Sequence, residues 1–357
     1  MALNPSGAIS LGGATSGQSI NLELGKSATA QASLNDADVR GLAGVASGQI
    51  SMPGDFWGKS SASNLQNGGF WYKYNGSLFA HSNTVSPTGT VSGDNAISGT
   101  ARFYPNATSY GSDKGIVYGG RAPAYVGTVN YITNTGSCGG DNNLGLPAKA
   151  GAPGCSFGPS RAQGAFIGGF APPSTTTYVT FSNTGSVSTT GSYSGTATGY
   201  GSGGPYGVDK GVVQYGTSPN INIARFVTNT GSIGGDTATS NSVRSQSQTA
   251  GFNGSDACVM MGGYVPNPSG GFRTVYNIIT NTGSIGSDTS MGSFGRRLGG
   301  GCEYGGDKGI IGFGTTQNPG VAQSNSVNYV TNTGSVGGVA AGAGTGGSSM
   351  ASVGYGV

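Results

Sequence analysis

The chain offers few groups for acid–base, metal or nucleophilic chemistry: one histidine, four cysteines and thirteen acidic residues in 357. His81 has no carboxylate or cysteine close to it in sequence, so a general base there would lack an orienting partner. Gly154-Cys155-Ser156-Phe157-Gly158 has the GxSxG spacing of a nucleophile elbow. That motif works only at a strand-turn-helix junction, and here it lies in a Pro/Gly-rich stretch. Two GxGxxG strings, Gly199 to Gly204 and Gly342 to Gly347, occur among 72 glycines, and neither opens a helical pattern, so they make no phosphate cradle. Asp113, Asp209, Asp256 and Asp307 recur at one position of a repeat. One carboxylate per turn supplies too few oxygens for calcium, and an Asp that bonds its own turn is the simpler expectation.

Cys138, Cys155, Cys258 and Cys302 have no CxxC spacing, which argues against zinc. Cys138 and Cys155 bracket a Gly-rich insertion that a disulfide would staple in an oxidising medium, with free thiols as the alternative. Glycosidic cleavage requires two carboxylates flanking one bond, and no such pair can be read from the sequence. The expectation is a protein without cofactor or metal and without catalysis, a polysaccharide-degrading enzyme being the alternative. Binding has better material. The segments GGRAPAYVGTVN, GGYVPNPSGGFRTVYN and GFGTTQNPGVAQSNSVN vary around a constant frame, as recognition loops do. Tyr125, Tyr264, Phe272 and Arg273 lie in or beside them, and such aromatic faces suit the CH faces of sugar rings. Filling gaps within the fold is the competing role for each.

The frame that must position these residues is read from composition and period. Charged residues make up 8% of the chain and glycines number 72, against about 25% charged in an average soluble protein. Ser, Thr and Asn fill the polar positions, a mixture that disfavours helices and suits short strands and tight turns. The net charge of +3 forms no basic run that could track phosphates, which excludes nucleic acid as a partner. No apolar run reaches the roughly 18 residues that span a bilayer, and MALNPSGAIS lacks the features of a secretory signal, so membrane insertion and signal-led export are not expected.

The stretch YITNTGSCGGD returns as FSNTGSV, FVTNTGSIGGD, IITNTGSIGSD and YVTNTGSV, with a worn copy in HSNTVSPTG. Its Asn falls at 83, 134, 183, 229, 281 and 332, a period close to 50. A second motif keeps the same phase: NGGFWYKY, DKGIVYGG, AQGAFIGGF, DKGVVQYG, DACVMMGGY, DKGIIGFG and SMASVGYG. Consecutive apolar residues such as Ile116, Val117 and Tyr118 predict a strand buried on both faces. The Asn-Thr-Gly-Ser turn predicts a reversal with Gly136 and its equivalents at φ > 0. Two further short strands, of the SVSTTGS type and of the SGTATGY or RFYPNATSYG type, complete a unit of four.

Four strands in about 50 residues, repeated, predict an all-β fold, a β-propeller. The units resemble kelch and galactose-oxidase blades: an Arg-containing strand, a strand ending in Gly-Gly (Gly119-Gly120, Gly168-Gly169, Gly262-Gly263) and a strand ending near Asn-Thr. They depart from kelch in lacking the aromatic that closes the fourth strand. Six turns predict six blades and seven apolar strands leave seven open, with the C-terminal strand entering the first blade to close the ring. The propeller is assigned to 63–357 and a separate module to 1–62.

That module echoes within itself as SGAISLGG, SGQSINLELG and SGQISMPGDFWGKS, which places Ile9, Ile20 and Ile50 in strand-like contexts. SLNDADVRGLAG predicts a short helix with Asn35 or Asp36 as N-cap and Val39 and Leu42 on one face. So small a core is expected to complete itself against a partner. The leader, Ser6 to Leu11, Glu23 to Gly25, Ser33 to Gly44 and Ser47 to Ser60, resembles those that open tailed-bacteriophage virion proteins, and the repeats resemble those of phage tails and fibres.

The resemblance implies a structural part of the virion, assembled in the host cytoplasm. It would dock on other virion proteins through 1–62 and display a propeller on a tail, neck or head appendage. Ile9, Leu11, Ile20, Leu22, Leu24, Val39, Leu42, Ile50, Phe56 and Trp57 are the expected attachment residues. Several copies per particle would make weak binding to host-surface glycan effective.

Overall fold

A computed structural model describes residues 3–356 except 5, 16, 25–26, 44–47, 57–65, 172–173, 215, 217–221, 266–270, 293–294 and 317–321. The chain divides into two compact units, Met1–Ala62 and Ser63–Val357.

In the first unit, helices Ile20–Glu23 and Ala37–Ala43 and a 3-10 turn at Gly54–Phe56 surround a small core. Asp36 caps the second helix, its carbonyl accepting from the Arg40 N–H at 2.9 Å. The strands expected around Ile9, Ile20 and Ile50 do not form. Ser19 caps the first helix by accepting from the Leu22 N–H, so Ile20 opens a helical turn, and a single bridge joins Ser10 to Ser19. Ile9, Ile20, Val39, Leu42 and Phe56 turn inward with Leu3 and Ala43, and Leu11, Leu24 and Ile50 pack against them. Leu22 is half-buried, and Trp57 lies outside the described residues. The side chains expected to make the attachment are thus mostly consumed by the unit's own core.

The second unit is a β-propeller of six four-stranded antiparallel sheets. Blade 2 shows the pattern from axis to rim: Asn106–Tyr110, Lys114–Tyr118, Thr128–Ile132 and Asn142–Asn143. The inner strands of blades 3 to 6 are Gly154–Phe157, Ser202–Tyr206, Gln248–Phe252 and Gly300–Tyr304. In blade 4 the strand therefore begins after the SGTATGY segment that was expected to form it. Blade 1 is closed as expected: Ala351–Tyr355 pairs antiparallel with Asn67–Tyr74 and takes the inner place. Each second strand is buried on both faces because it lies between two blades. Ile116 faces blade 3 beside Phe166, and Val117 faces blade 1 beside Trp71.

The repeated turn has a packing reason. In blade 1 the turn is Ser86 to Gly89, and Asn83, expected to mark it, lies before it in the strand Leu78–Val85. The turn glycine has φ between 81° and 86° in all six blades. Each faces an aromatic ring that ends the inner strand of the preceding blade: Gly136 on Tyr355, Gly185 on Tyr110, Gly231 on Phe157, Gly283 on Tyr206, Gly334 on Phe252 and Gly89 on Tyr304. A Cβ would come within 2.5–3.1 Å of the ring. Beside each ring one backbone bond crosses to the next blade: Gly356 N–H to Asp113 O, Gly111 to Ala162, Gly158 to Asp209, Gly207 to Asp256, Asn253 to Asp307 and Gly305 to Gln66. The recurrent Asp therefore does more than bond its own turn. Its carbonyl joins blades, while the Asp113, Asp209 and Asp307 carboxylates pair with the following lysine at 2.6–2.7 Å.

Each blade also buries one cation behind its inner strand. Arg102, Lys149, Arg244 and Arg296 occupy one position just before the inner strands of blades 2, 3, 5 and 6. In blade 4 that position is Thr198, and Arg225 reaches its hydroxyl from the third strand at 3.1 Å. In blade 1 it is Gly347, and Lys73 fills the space from the second strand. Carboxylates answer four of the six: Lys73 pairs with Asp94, Arg102 with Asp141 at 3.3 Å, Arg225 with Asp236 at 2.6 Å and Arg244 with Asp288 at 3.9 Å. Burial pushes Lys149, which has hydroxyl and carbonyl partners on Thr177, down to about 8.

Cys138 and Cys155 are free thiols, so the possible staple between them is not formed. Cys138 packs between blades 1 and 2 and Cys155 between blades 3 and 4, so a whole inter-blade layer separates them. Burial pushes both thiols up, to about 11 and about 12. On the axis, Arg161 donates to Ser255 and to Glu303 at 2.9 Å, and Ser255 donates to Glu303, joining blades 3, 5 and 6. Burial pushes the Glu303 carboxyl up and the Arg161 charge opposes it.

Three outcomes are expected. Gly231→Ala, forced against Phe157 at φ +86°, should lower stability by about 1–3 kcal/mol in urea unfolding, whereas Gly338→Ala, with open space around it, should change it by under about 0.5. Arg161→Met should cost about 3–5 kcal/mol by stranding a buried carboxylate, and adding Glu303→Leu should restore most of it. Partial burial raises the Asp94, Asp141, Asp236 and Asp288 carboxyls, but their hydrogen bonds and paired cations prevail and hold all four below the usual range. A depressed folded pKa contributes stability that is present above the unfolded value near 4 and lost as pH falls through the folded one. Melting temperature should therefore drop steeply below about pH 4, less so in Asp288→Asn.

Candidate functional site

Just before the inner strands, one residue per blade takes a left-handed conformation: Tyr104, Gly151, Tyr200, Gln246, Leu298 and Ser349, with φ between 57° and 61°. Five of them donate a backbone N–H to the carbonyl of the one before: Gly151 to Tyr104 at 2.8 Å, Tyr200 to Gly151 at 2.7 Å, Gln246 to Tyr200 at 2.7 Å, Leu298 to Gln246 at 3.0 Å and Ser349 to Leu298 at 2.6 Å. Such conformations cost about 1–3 kcal/mol each in non-glycine residues and persist where surroundings fix them. This belt rims a small, open depression at one end of the propeller axis. Beneath it the axis is lined by Gly154, Gly203 and Gly301, each packed so closely on the neighbouring inner strand that a Cβ would meet its backbone. It ends in the Arg161–Ser255–Glu303 cluster.

Aromatic rings spread outward from the belt. Tyr104 and Tyr200 meet edge to face at 4.8 Å; Phe103 lies 4.7 Å from Tyr104 and Tyr74 5.7 Å from Phe103. On the other side Phe170 is 5.5 Å from Tyr200 and Tyr125 6.0 Å from Phe170. The Arg121 guanidinium stands 5.8 Å from Phe103 and 5.5 Å from Tyr125, its Nε–H donating to the Pro123 carbonyl at 3.0 Å. In blade 5, Tyr264 and Phe272 form the short hairpin Tyr264–Val265 with Gly271–Phe272, and the Arg297 guanidinium lies 4.5 Å over the first ring and 5.0 Å over the second. Burial raises the Tyr104 hydroxyl, and the charges of Arg297 and Arg121 oppose that shift, which ties both cations to the belt.

Of the residues expected from sequence, Tyr125, Tyr264 and Phe272 belong to this surface, half-buried and packed on neighbours. Arg273 sits beside Phe272; its N–H bonds the Gly263 carbonyl at 2.8 Å, and its buried Nε has no hydrogen-bond partner. Sequence reasoning missed Tyr74, Phe103, Tyr104, Arg121, Phe170, Tyr200 and Arg297. The signal was phase: Arg121 and Phe170 directly follow Gly-Gly pairs with φ > 0, and Tyr104, Tyr200 and Leu298 hold the same place in three blades. His81, by contrast, stacks on Phe79 at 5.3 Å in blade 1. Asp94 lines the same small depression, but its carboxylate is taken by Lys73 and Asn83. Gly154–Phe157 is an inner strand, which removes the strand-turn-helix context that its GxSxG spacing would need. Among the described residues no group of three metal-ligating side chains occurs, and no helix is long and apolar enough to cross a membrane.

No protein-family model and no curated protein matches the sequence. Among solved structures, the chain is similar to that of YjhT, with a TM-score of 0.53 at 13% identity over 70% of this chain and 88% of that one, a likeness that speaks for the fold alone.

Proposed function

We propose that the protein is a structural component of a bacteriophage virion, docked through residues 1–62, that displays its propeller as a recognition module for host-surface glycan on a tail, neck or head appendage. The virion part of this reading rests on the leader and repeat resemblance and on the division into two compact units. With most of the described apolar side chains of 1–62 taken up internally, docking would draw on that unit's polar surface and backbone.

The observation that carries the recognition part is the mouth surface: six rings in contact, from Tyr74 to Tyr125, and a second pair at Tyr264 and Phe272, around a shallow depression on a rigid ring. Aromatic platforms held by a scaffold bind sugar rings by stacking with little ordering cost. Weak single sites become effective through several copies per particle. The polysaccharide-degrading alternative would need two carboxylates at one bond. Glu303 is tied to Arg161 and Ser255, and the four rim aspartates are tied to blade cations or their neighbours, so their placement favours binding over cleavage.

Two measurements test this. Deleting residues 1–62 should remove the protein from purified particles. The full chain should bind host cells saturably, lose that binding after periodate treatment of the cells, and bind at least about tenfold more weakly as Tyr74→Ala, an exposed ring at the mouth. Periodate-insensitive binding, or none, would sink the glycan reading.

A further inference from the structure

The charges of the propeller are sorted by face. Of the thirteen acidic residues, Glu23, Asp36, Asp38 and Asp55 precede residue 63, leaving nine. Asp113, Asp209, Asp256 and Asp307 sit in the turns between first and second strands, at the end of the axis away from the belt. Asp94, Asp141, Asp236 and Asp288 sit at the rim beside the outer strands, bonded to a blade cation or its neighbours. Glu303 is within the axis. The segments that join second to third strands, and fourth strands to the next inner strand, contain the mouth residues other than Tyr74 and no Asp or Glu.

The same segments supply Arg121, Arg273 and Arg297. None of these three has an ion-pair partner among the described residues, unlike the buried blade cations Lys73, Arg102, Arg225 and Arg244. Arg121 is exposed and Arg297 half-buried, and each guanidinium lies over two aromatic rings. The Nε atoms of Arg273 and Arg297 are buried without a hydrogen-bond partner. A guanidinium packed on rings is fixed in orientation, and with Nε of Arg121 bonded and Nε of Arg297 buried it is the two terminal Nη groups that can grip a carboxylate with parallel bonds. A cleft of one sign also raises the local concentration of the opposite charge.

We propose that the mouth selects acidic glycan, sugar rings bearing carboxylates, with Tyr104, Tyr200 and their neighbours stacking on the rings and Arg121 and Arg297 pairing with the carboxylates. This rests on the glycan reading above and adds the charge of its ligand. A neutral sugar would leave both guanidinia unanswered, and a polyanion without rings would leave the aromatic platform unused.

The test uses the full chain with three immobilised polymers: polygalacturonate, the same polymer after reduction of its carboxyls to alcohols, and polyglutamate. Saturable binding to polygalacturonate is expected, at least tenfold stronger than to the reduced form or to polyglutamate, and weakening as salt rises. Arg297→Gln and Arg121→Gln should each lower it at least tenfold with an unchanged melting temperature, and Arg297→Lys should recover only part. If Arg297→Gln shifts the melting temperature, the exposed Arg121→Gln alone decides.

Equal binding to the native and reduced polymers would overturn the charge preference while leaving a glycan-binding mouth. Equal binding to polyglutamate would reduce the site to ion exchange and overturn the proposal. No binding to polygalacturonate would also overturn it, and periodate-sensitive binding to host cells would then show that the broader glycan reading survives.

Discussion

Everything in the propeller depends on how closely one blade can approach the next, and that distance is set by a glycine beneath a ring. The Asn-Thr-Gly-Ser turn of five blades, and Pro87-Thr88-Gly89 in blade 1, accepts the aromatic that ends the preceding inner strand, and a backbone bond beside it locks the pair. With no Cβ on the turn the ring lies flat against the backbone, and six equal joints accumulate to a full circle. The inner strands obey the same constraint: Gly154, Gly203 and Gly301 let neighbouring strands converge on the axis where a methyl group would collide with a carbonyl. The wealth of glycine and scarcity of charge are thus the composition of a tightly packed ring.

The buried cations show the same geometry satisfied by different routes. A positive group stands behind the inner strand of every blade, but Lys73 and Arg225 come from strands other than the one that supplies Arg102, Lys149, Arg244 and Arg296. What is constant is a charge in one place among polar acceptors, as Arg102 is bonded to Asn130, Arg296 to Asn328 and Lys73 to Asp94 and the Thr345 carbonyl. Removing water from such a group is costly, so each is surrounded by acceptors, and four are given a carboxylate. These clusters fix the approach to the belt, which holds Tyr104 and Tyr200 in conformations they would not adopt alone.

Much of this was legible in the sequence because the fold is a repeat. Period, phase and the doubly apolar strand specify blades, and five Asn-Thr turns with the Pro-Thr-Gly turn of blade 1 match their number, although Asn83, taken as the sixth marker, lies in a strand; the strand from 351 to 355 in blade 1 follows from where the motif begins and stops. The inner-strand aromatics Tyr110, Phe157, Tyr206, Phe252, Tyr304 and Tyr355 were in the same phase and went unread, because their partners lie a blade away. The small unit was read less well. Alternation around Ile20 suggested a strand, but Ser19 caps a helical turn there, and local capping prevailed over a weak pattern. At the mouth, loop aromatics could be guessed singly, whereas the pairing of Arg297 with Tyr264 and Phe272 depends on blades 5 and 6 meeting, which spacing within one unit does not encode.

The strand that closes the ring imposes an order in time. Asn67–Tyr74 is made early and its inner neighbour, Ala351–Tyr355, about 280 residues later, so on the ribosome blade 1 waits with an open edge while five others are synthesised. Pairings of such sequence separation are slow to find and leave apolar surface open meanwhile. Phe70 and Trp71, fully buried in the finished ring, are among the residues that wait. A nascent chain of this kind is most exposed to misassociation before residues 351–355 emerge, and a neighbouring copy's Ala351–Tyr355 strand could complete the wrong ring.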